Sequence, residues 1–333
     1  MNDILLKLFI TFLIVINGVS IFKTNKIKKH DISHSEKKLN RRTKLYKELL
    51  ELYFENKEKF YRKGREYILN KIGKKFDETN VKTFQDKLNY LLIYESPEDK
   101  TEIVDKILLR NYSKKKLGKD ICVPILKIYN NIDEINLDEL PEKFILKCNH
   151  GSAMNIFCED KSKFDLLKAK HTLKDWMKIN YGLLRLEYQY MNIKRKVFAE
   201  QYLDKEIINY KFSCFNGNPK FVRVKAKING SSLYNIYTTN WEKSNIELDD
   251  KKYVLSNRFK KPINLKKMIK YSKLLSSGFC YCRVDFYEVN DKLYLSEITF
   301  TPFNSYVKYK KKETELYLGK LIDISHLKKN HYL

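Results

Sequence analysis

The chain is expected to fold as an α+β protein. From about Lys82 to Leu321, helical and strand patterns interleave without strict β-α alternation, which favours segregated layers over a doubly wound sheet. The run Tyr281–Pro302 alternates with period two on both sides of a polar turn at Asn290-Asp291, the pattern of a β-hairpin. With 333 residues, 43% hydrophobic and 14% aromatic, the chain can build one large core or two smaller ones.

Taken in order, Ile4 to Phe22 is apolar apart from Lys7, Asn17 and a few small or weakly polar residues. Its length is near that needed to cross a bilayer, although the fully apolar stretch, Leu8 to Ile16 with one Thr, is shorter. Lys23, Lys26, Lys28 and Lys29 follow, and the positive-inside rule then places the body of the chain in the cytoplasm. Gly18 and Ser20 offer the alternative of a cleaved signal and a secreted or luminal product. Residues 1–29 are thus an anchor or signal segment with a basic flank, and the expectation favours a membrane-associated protein. Residues 30–80 form a polar helical spacer in which Leu45, Leu49, Leu52 and Tyr53 make a 3.6-period stripe. The main domain spans 81–325, with helical runs at 165–180 and 264–276 and strands at 143–148, 197–203, 209–215, 219–228, 281–289 and 292–300.

The net charge of +25 comes mostly from evenly spread lysine and makes no patch. The aromatics form no RNA-stacking motif, so nucleic acid is not an expected partner. The six cysteines lack C-x-x-C spacing and no histidine cluster accompanies them, which argues against zinc and for free thiols.

Chemistry concentrates in three segments. In the hairpin, Arg283 and Asp285 share one face, as do Glu297 and Thr299. A three-residue loop, Asn290 to Lys292, sets Asp285 opposite Glu297 and Arg283 opposite Thr299. Two facing carboxylates destabilise a sheet unless a positive charge lies between them. Magnesium completed by nucleotide phosphates can supply that charge, and so can Arg283 itself. Phe144–Met154 is a strand ending in Lys147 followed by a Gly/Ser turn, in which small residues let backbone N–H groups approach phosphate. His150 in that turn serves either to stabilise the turn or to contact phosphate. Val197–Leu203 carries Glu200 among apolar residues and can read an adenine edge or be a plain edge strand. Asp105-Lys106 opens a helix ending at Gly118, where an aspartate is a routine cap.

In this order the pieces resemble the ATP-grasp superfamily, and within it the TupA-like branch linked to surface-polysaccharide and teichuronopeptide synthesis. The resemblance covers Lys82 to about Ile322, through Lys82–Leu92, Asp105-Lys106, Leu140–Ser152, Glu200–Leu203, Tyr210–Gly217 and the hairpin. It implies an ATP-grasp fold, two α+β subdomains gripping ATP, with a lid at about 122–196 and a metal and nucleotide core at about 197–325. It also implies that Lys106 and Lys147 hold the ATP phosphates and that His150, Gly151 and Ser152 belong to the phosphate-covering loop. Glu200, Tyr202 and Leu203 would meet the adenine, Asn209 the ribose, and Asp285, Glu297 and Thr299 Mg2+. Arg283 would stabilise the transferred phosphoryl group. The implied activity is an ATP- and Mg2+-dependent ligase joining a carboxylate, on a sugar or amino acid, to an amine through an acylphosphate, with the catalytic domain cytoplasmic.

Three departures from the branch are Ala153 for a glycine, Asn209 for an acid, and Phe303-Asn304-Ser305 for a Gly-rich turn. They keep two alternatives open: a non-catalytic relative that binds nucleotide or acidic polymer at the membrane, and a glycosyltransferase or kinase acting on a glycan.

Overall fold

The computed structural model describes residues 48–49, 51–70, 73–95, 98–204 and 206–327. The anchor or signal segment expected at 1–29 lies outside them. Among the described residues no helix is long and apolar enough to cross a membrane. The chain divides into two units at Lys75/Phe76, a few residues before the expected boundary. In the first unit, helix α1 (Lys57–Asn70) buries Phe60, Tyr61 and Leu69. Of the expected stripe, Leu49 is buried and Tyr53 meets Phe60 edge-on with ring centroids 5.2 Å apart, while Leu45 lies outside the described residues.

The second unit contains helices α2 (Phe84–Tyr94), α3 (Thr101–Val104), α4 (Leu109–Leu117), α5 (Leu166–Lys178), α6 (Tyr181–Arg185), α7 (Leu265–Ser276) and α8 (Lys312–Lys320). Its strands form two sheets. The smaller runs β1-β4-β2-β3, made of Ile125–Tyr129, Val197–Gln201, Phe144–Cys148 and Asn155–Cys158, all antiparallel. Phe144, Leu146 and Cys148 alternate onto one face of β2. There they meet Ala169 and Leu173, one helical turn apart on α5, in a common core. The resemblance had placed the lid at about 122–196 and begun the core at 197. Val197–Gln201 instead lies between β1 and β2, so the small sheet is completed only at Gln201.

The larger sheet runs β10-β9-β5-β6-β7-β8. These strands are Lys292–Thr299, Tyr281–Val289, Asn209–Phe215, Asn218–Ile228, Ser231–Thr238 and Val254–Leu255, and only the β7–β8 pairing is parallel. Phe212, Cys214, Val222, Val224, Val284 and Phe286 fill one face and pack on Leu265, Met268 and Leu275 of α7. Period-two alternation therefore turns Asn209, Lys211, Arg223, Arg283 and Asp285 to the opposite face. At one end of that face Phe215 and Tyr281 are covered by Phe84 and Leu88 of α2 and Leu318 of α8. All six cysteines are free thiols.

The hairpin reaches its expected register by a different route. Its loop has two residues, since Val289 pairs with Lys292, and Asn290 and Asp291 take φ of 49° and 59°. Both values lie in the left-handed region a tight hairpin turn demands. A bulge between Leu295 and Glu297 then supplies the extra residue. Asp285 faces Glu297 and Arg283 faces Thr299 as expected, while Leu295 and Ile298 both remain in the core.

Candidate functional site

A file of charges crosses the large sheet: Arg223 on β6 pairs with Lys211 on β5, Lys211 with Asp285 on β9, and Asp285 with Glu297 on β10. Asp285 has no exposure to solvent. Arg283 donates to both its oxygens, Nε to Oδ1 and Nη2 to Oδ2, each at 2.7 Å. The Lys211 ammonium contacts Asp285 Oδ2 as well and lies 3.8 Å from Glu297 Oε1. Arg283 Nη2 also reaches Glu297 Oε1 at 3.0 Å and Thr299 Oγ1 at 3.3 Å. The protein's own two cations thus lie between the facing carboxylates.

Burial alone would raise the Asp285 carboxyl, but Arg283 and Lys211 together outweigh it and hold the group well below the usual carboxylate range. Burial and the Arg283 charge pull Lys211 down to about 8 despite the two acids. For Arg283 burial acts downward, and Asp285 and Glu297 reverse it to leave the guanidinium above its usual value. Lys211 was missed in the sequence. Its signal was present: in Asn209-Tyr-Lys-Phe-Ser213 the polar residues alternate, which places Lys211 on the face of Asn209.

The small sheet and the segment before α4 add a second group. Lys147 and Glu200, on the neighbouring strands β2 and β4, form an ion pair with both side chains mostly buried. The Lys106 ammonium donates to the Gly151 carbonyl. Burial lowers its pKa; Glu297, Asp105 and Glu200 act against that and Lys147 with it, so these five side chains lie within one electrostatic neighbourhood. Asp105 accepts from the Ile107 N–H at 2.8 Å, as a cap does, and from Asn149 Nδ2 at 2.8 Å. Asn149 is 1% exposed and its Oδ1 accepts from the Lys196 N–H at 2.8 Å, so it ties the glycine turn to both neighbouring segments. Asn149 was also missed, because a single asparagine beside a turn carries no pattern.

The remaining candidates are spread around this cluster. Ser152 is exposed. Gly151 is required by close packing: a Cβ there would lie 2.8 Å from Met154 Sδ and 2.9 Å from the Tyr181 ring. Ala153, where the branch has glycine, carries φ of 60°, a conformation that costs an alanine about 1 kcal/mol. Tyr202 turns its hydroxyl to Glu159 Oε1 at 3.2 Å, and Leu203 is half-buried. Asn209 buries an Oδ1 that finds no partner among the described residues, an acceptor suited to a hydroxyl donor.

His150 is 1% exposed, and its ring faces the backbone carbonyl of Trp176 at 3.2 Å. Burial lowers its pKa to about 4; the Trp176 carbonyl acts upward, Arg195 and Lys106 downward. The unfolded chain takes up this proton near pH 6.5 and the folded chain only near 4, so between those values the unfolded state binds more protons. Stability present above pH 6.5 is therefore lost as pH falls through this window, by at most about 3 kcal/mol. Urea midpoints at pH 7 and 4.5 should fall further apart in the wild type than in His150→Asn; an equal fall in both would contradict this.

Among the described residues no group of three or more His, Cys, Asp or Glu side chains is placed to hold a metal. Magnesium takes one or two carboxylates together with substrate phosphates, and Asp285, Glu297 and the Thr299 hydroxyl are all hard oxygen donors of that kind.

Two sheets, the smaller carrying the Lys147–Glu200 pair and the larger the facing carboxylates Asp285 and Glu297, make the arrangement of an ATP-grasp protein. A sequence model of the TupA-like ATP-grasp family matches residues 86–323, and the chain belongs to that family. Similar solved structures include D-alanine–D-alanine ligase from Bacillus anthracis (19% identity, 60% of this chain and 57% of that one, TM-score 0.37). Others are an L-amino acid ligase from Bacillus licheniformis (13%, 61% and 44%, 0.39) and D-alanine–D-alanine ligase from Coxiella burnetii (14%, 72% and 64%, 0.37). The chain spans less than two thirds of each of these proteins. No curated protein matches it in sequence.

Proposed function

We propose that the protein is an ATP- and Mg2+-dependent carboxylate–amine ligase working through an acylphosphate. The observation that carries this reading is the charge file of Lys211, Arg283, Asp285 and Glu297 on the large sheet, together with the Lys147–Glu200 pair and a Lys106 ammonium on which the charges of Glu297, Lys147 and Glu200 all act. Lys106, Lys147, Lys211 and Arg283 supply the cationic donors that phosphate oxygens require. Lys106 and Lys147 would hold the ATP phosphates, Glu200 and the Tyr202–Leu203 segment the adenine, and the open Asn209 acceptor a ribose hydroxyl.

A substrate carboxylate oxygen would attack the γ-phosphorus as ADP leaves. The amine would then attack the acyl carbon and expel phosphate. Arg283 and the lysines neutralise the charge that builds on the phosphoryl oxygens, and the small sheet with its glycine turn keeps water from the acylphosphate. Asp285, Glu297 and Thr299 would hold magnesium, whose role is to offset phosphate charge and align the phosphates. Lys211 would then turn from Asp285 toward the phosphates.

The same reading includes a role in surface-polysaccharide assembly and membrane attachment through residues 1–29 with the catalytic domain cytoplasmic. These rest on the family's linkage and on the apolar segment with its lysine flank. The test is ATP consumption by the full chain. It should require Mg2+, a carboxylate and an amine together; consumption indifferent to the carboxylate and amine, or driven by a nucleotide sugar, would overturn the reading.

A further inference from the structure

On the face of the large sheet that carries Asp285, a cavity of about 50 Å³ opens beside Arg283. Arg283 and Arg223 both line it, and Ser213 lies between their strands. The Arg223 guanidinium sits 4.7 Å over the Phe303 ring and 6.0 Å from that of Tyr253. Its Nε finds no hydrogen-bond partner among the described residues, and none of their carboxylates pairs with it. Arg283 commits Nε and Nη2 to Asp285, Glu297 and Thr299, and Arg223 stands beside it as a second sheltered cation. Such an arrangement is unfavourable until an anion enters. Phe303, Asn304 and Ser305 hold φ of 54°, 56° and 59° in succession, a left-handed run of non-glycine residues. That run carries the Phe303 ring over Arg223, and strain of this kind clusters at ligand-binding sites.

The rest of the lining is mostly apolar, with Phe84, Ile236, Leu248 and Val307 among it, and no acidic residue contributes. We propose that this cavity, in the ligase reading on which the inference rests, takes the substrate carboxylate. Arg223 binds the carboxylate, Arg283 stands next to its reacting oxygen, and the substrate's body is small and apolar. A uronic acid brings hydroxyls that the cavity has few partners for. An α-amino acid brings an ammonium that would stand among arginines with no carboxylate to meet it. The chemistry favoured is a short aliphatic carboxylate.

The test traps the acylphosphate. The full chain is incubated with Mg2+, ATP and hydroxylamine, whose nitrogen attacks the acyl carbon and releases phosphate, leaving a hydroxamate to be measured. Propionate and isobutyrate serve as probes against alanine, valine, glucuronate and galacturonate. Hydroxamate should form with the aliphatic acids at least tenfold faster than with the others. Arg223→Met should raise KM for isobutyrate at least fiftyfold while KM for ATP stays within twofold, with Arg223→Lys recovering part of the loss. Because an unpaired sheltered charge is removed, Arg223→Met should melt no lower than the wild type, whereas a purely structural arginine would lower the melting point. Faster reaction with a uronic or amino acid overturns the substrate class and leaves the ligase reading standing. An unchanged isobutyrate KM in Arg223→Met overturns the subsite, as does ATP binding without hydroxamate from any probe. Absence of both ATP binding and hydroxamate overturns the ligase reading itself.

Discussion

Asp285→Asn should abolish ATP turnover and destabilise the second unit by about 3 kcal/mol, at the low end of the cost of breaking a buried ion pair. Asp285 is fully buried and receives both Arg283 and Lys211. The amide can accept one hydrogen bond from each but carries no charge, so two sheltered cations would face only Glu297, which is partly exposed. The cost stays at the low end because Lys211, already pulled down to about 8, can shed its proton and relieve one charge. Acid should expose the same carboxylate in the wild type. With its folded pKa below the unfolded value, Asp285 contributes stability that is complete above the ordinary carboxylate range and lost as pH falls beneath it. Denaturant titrations of both proteins at pH 7 and pH 3 check this: the gap between them should narrow at the lower pH. An Asp285→Asn protein as stable as the wild type at pH 7 would contradict the account of the charge file.

Gly319→Ala should lower stability by about 3 kcal/mol. Gly319 lies in the last turn of α8, and a Cβ there would stand 2.8 Å from the Thr83 carbonyl carbon and 2.9 Å from the Phe84 nitrogen, with the Lys82 oxygen closer still. These are backbone atoms at the start of α2, where Thr83 and Asp86 cap the helix reciprocally, so no side chain can swing aside. The two helices must separate or the cap must open, and either loosens the cover over Phe215 and Tyr281. For a domain of this size the melting point should drop by roughly 6–12 °C. Lys320→Ala, one residue on and exposed, should leave it unchanged. A melting point equally unmoved in Gly319→Ala would show that α8 does not seat as described.

Much of this arrangement was legible because it rests on local alternation. Strands at 209–215 and 281–289 are read from period two alone, and the facing of Asp285 and Glu297 from period two with an assumed three-residue loop. The register survived an incorrect loop length because the bulge before Glu297 restores the phase, and a bulge leaves little mark in sequence. What was not legible is what topology brings together. Lys211 reaches Asp285 across 74 positions, and Lys147 reaches Glu200 across 53, by sheet pairings that no short window contains. Hence the carboxylate pair was noticed and Arg283 weighed as its counter-charge, while Lys211 and Arg223 went unremarked. That Val197–Gln201 belongs to the small sheet was not legible for the same reason: a strand's pattern says which face is buried, not which neighbours it pairs with.

The central claim is that the carboxylate pair and the lysine cluster form a magnesium-dependent nucleotide site. Calorimetric titration of ATP into the full chain, with and without Mg2+, tests it most directly when repeated on Glu297→Gln. Glu297 is the more exposed of the two acids, so its loss should leave the fold intact. The account predicts binding that magnesium tightens at least tenfold in the wild type and no longer tightens in the variant. Binding of equal strength with and without the metal, or none at all in the wild type, would contradict it.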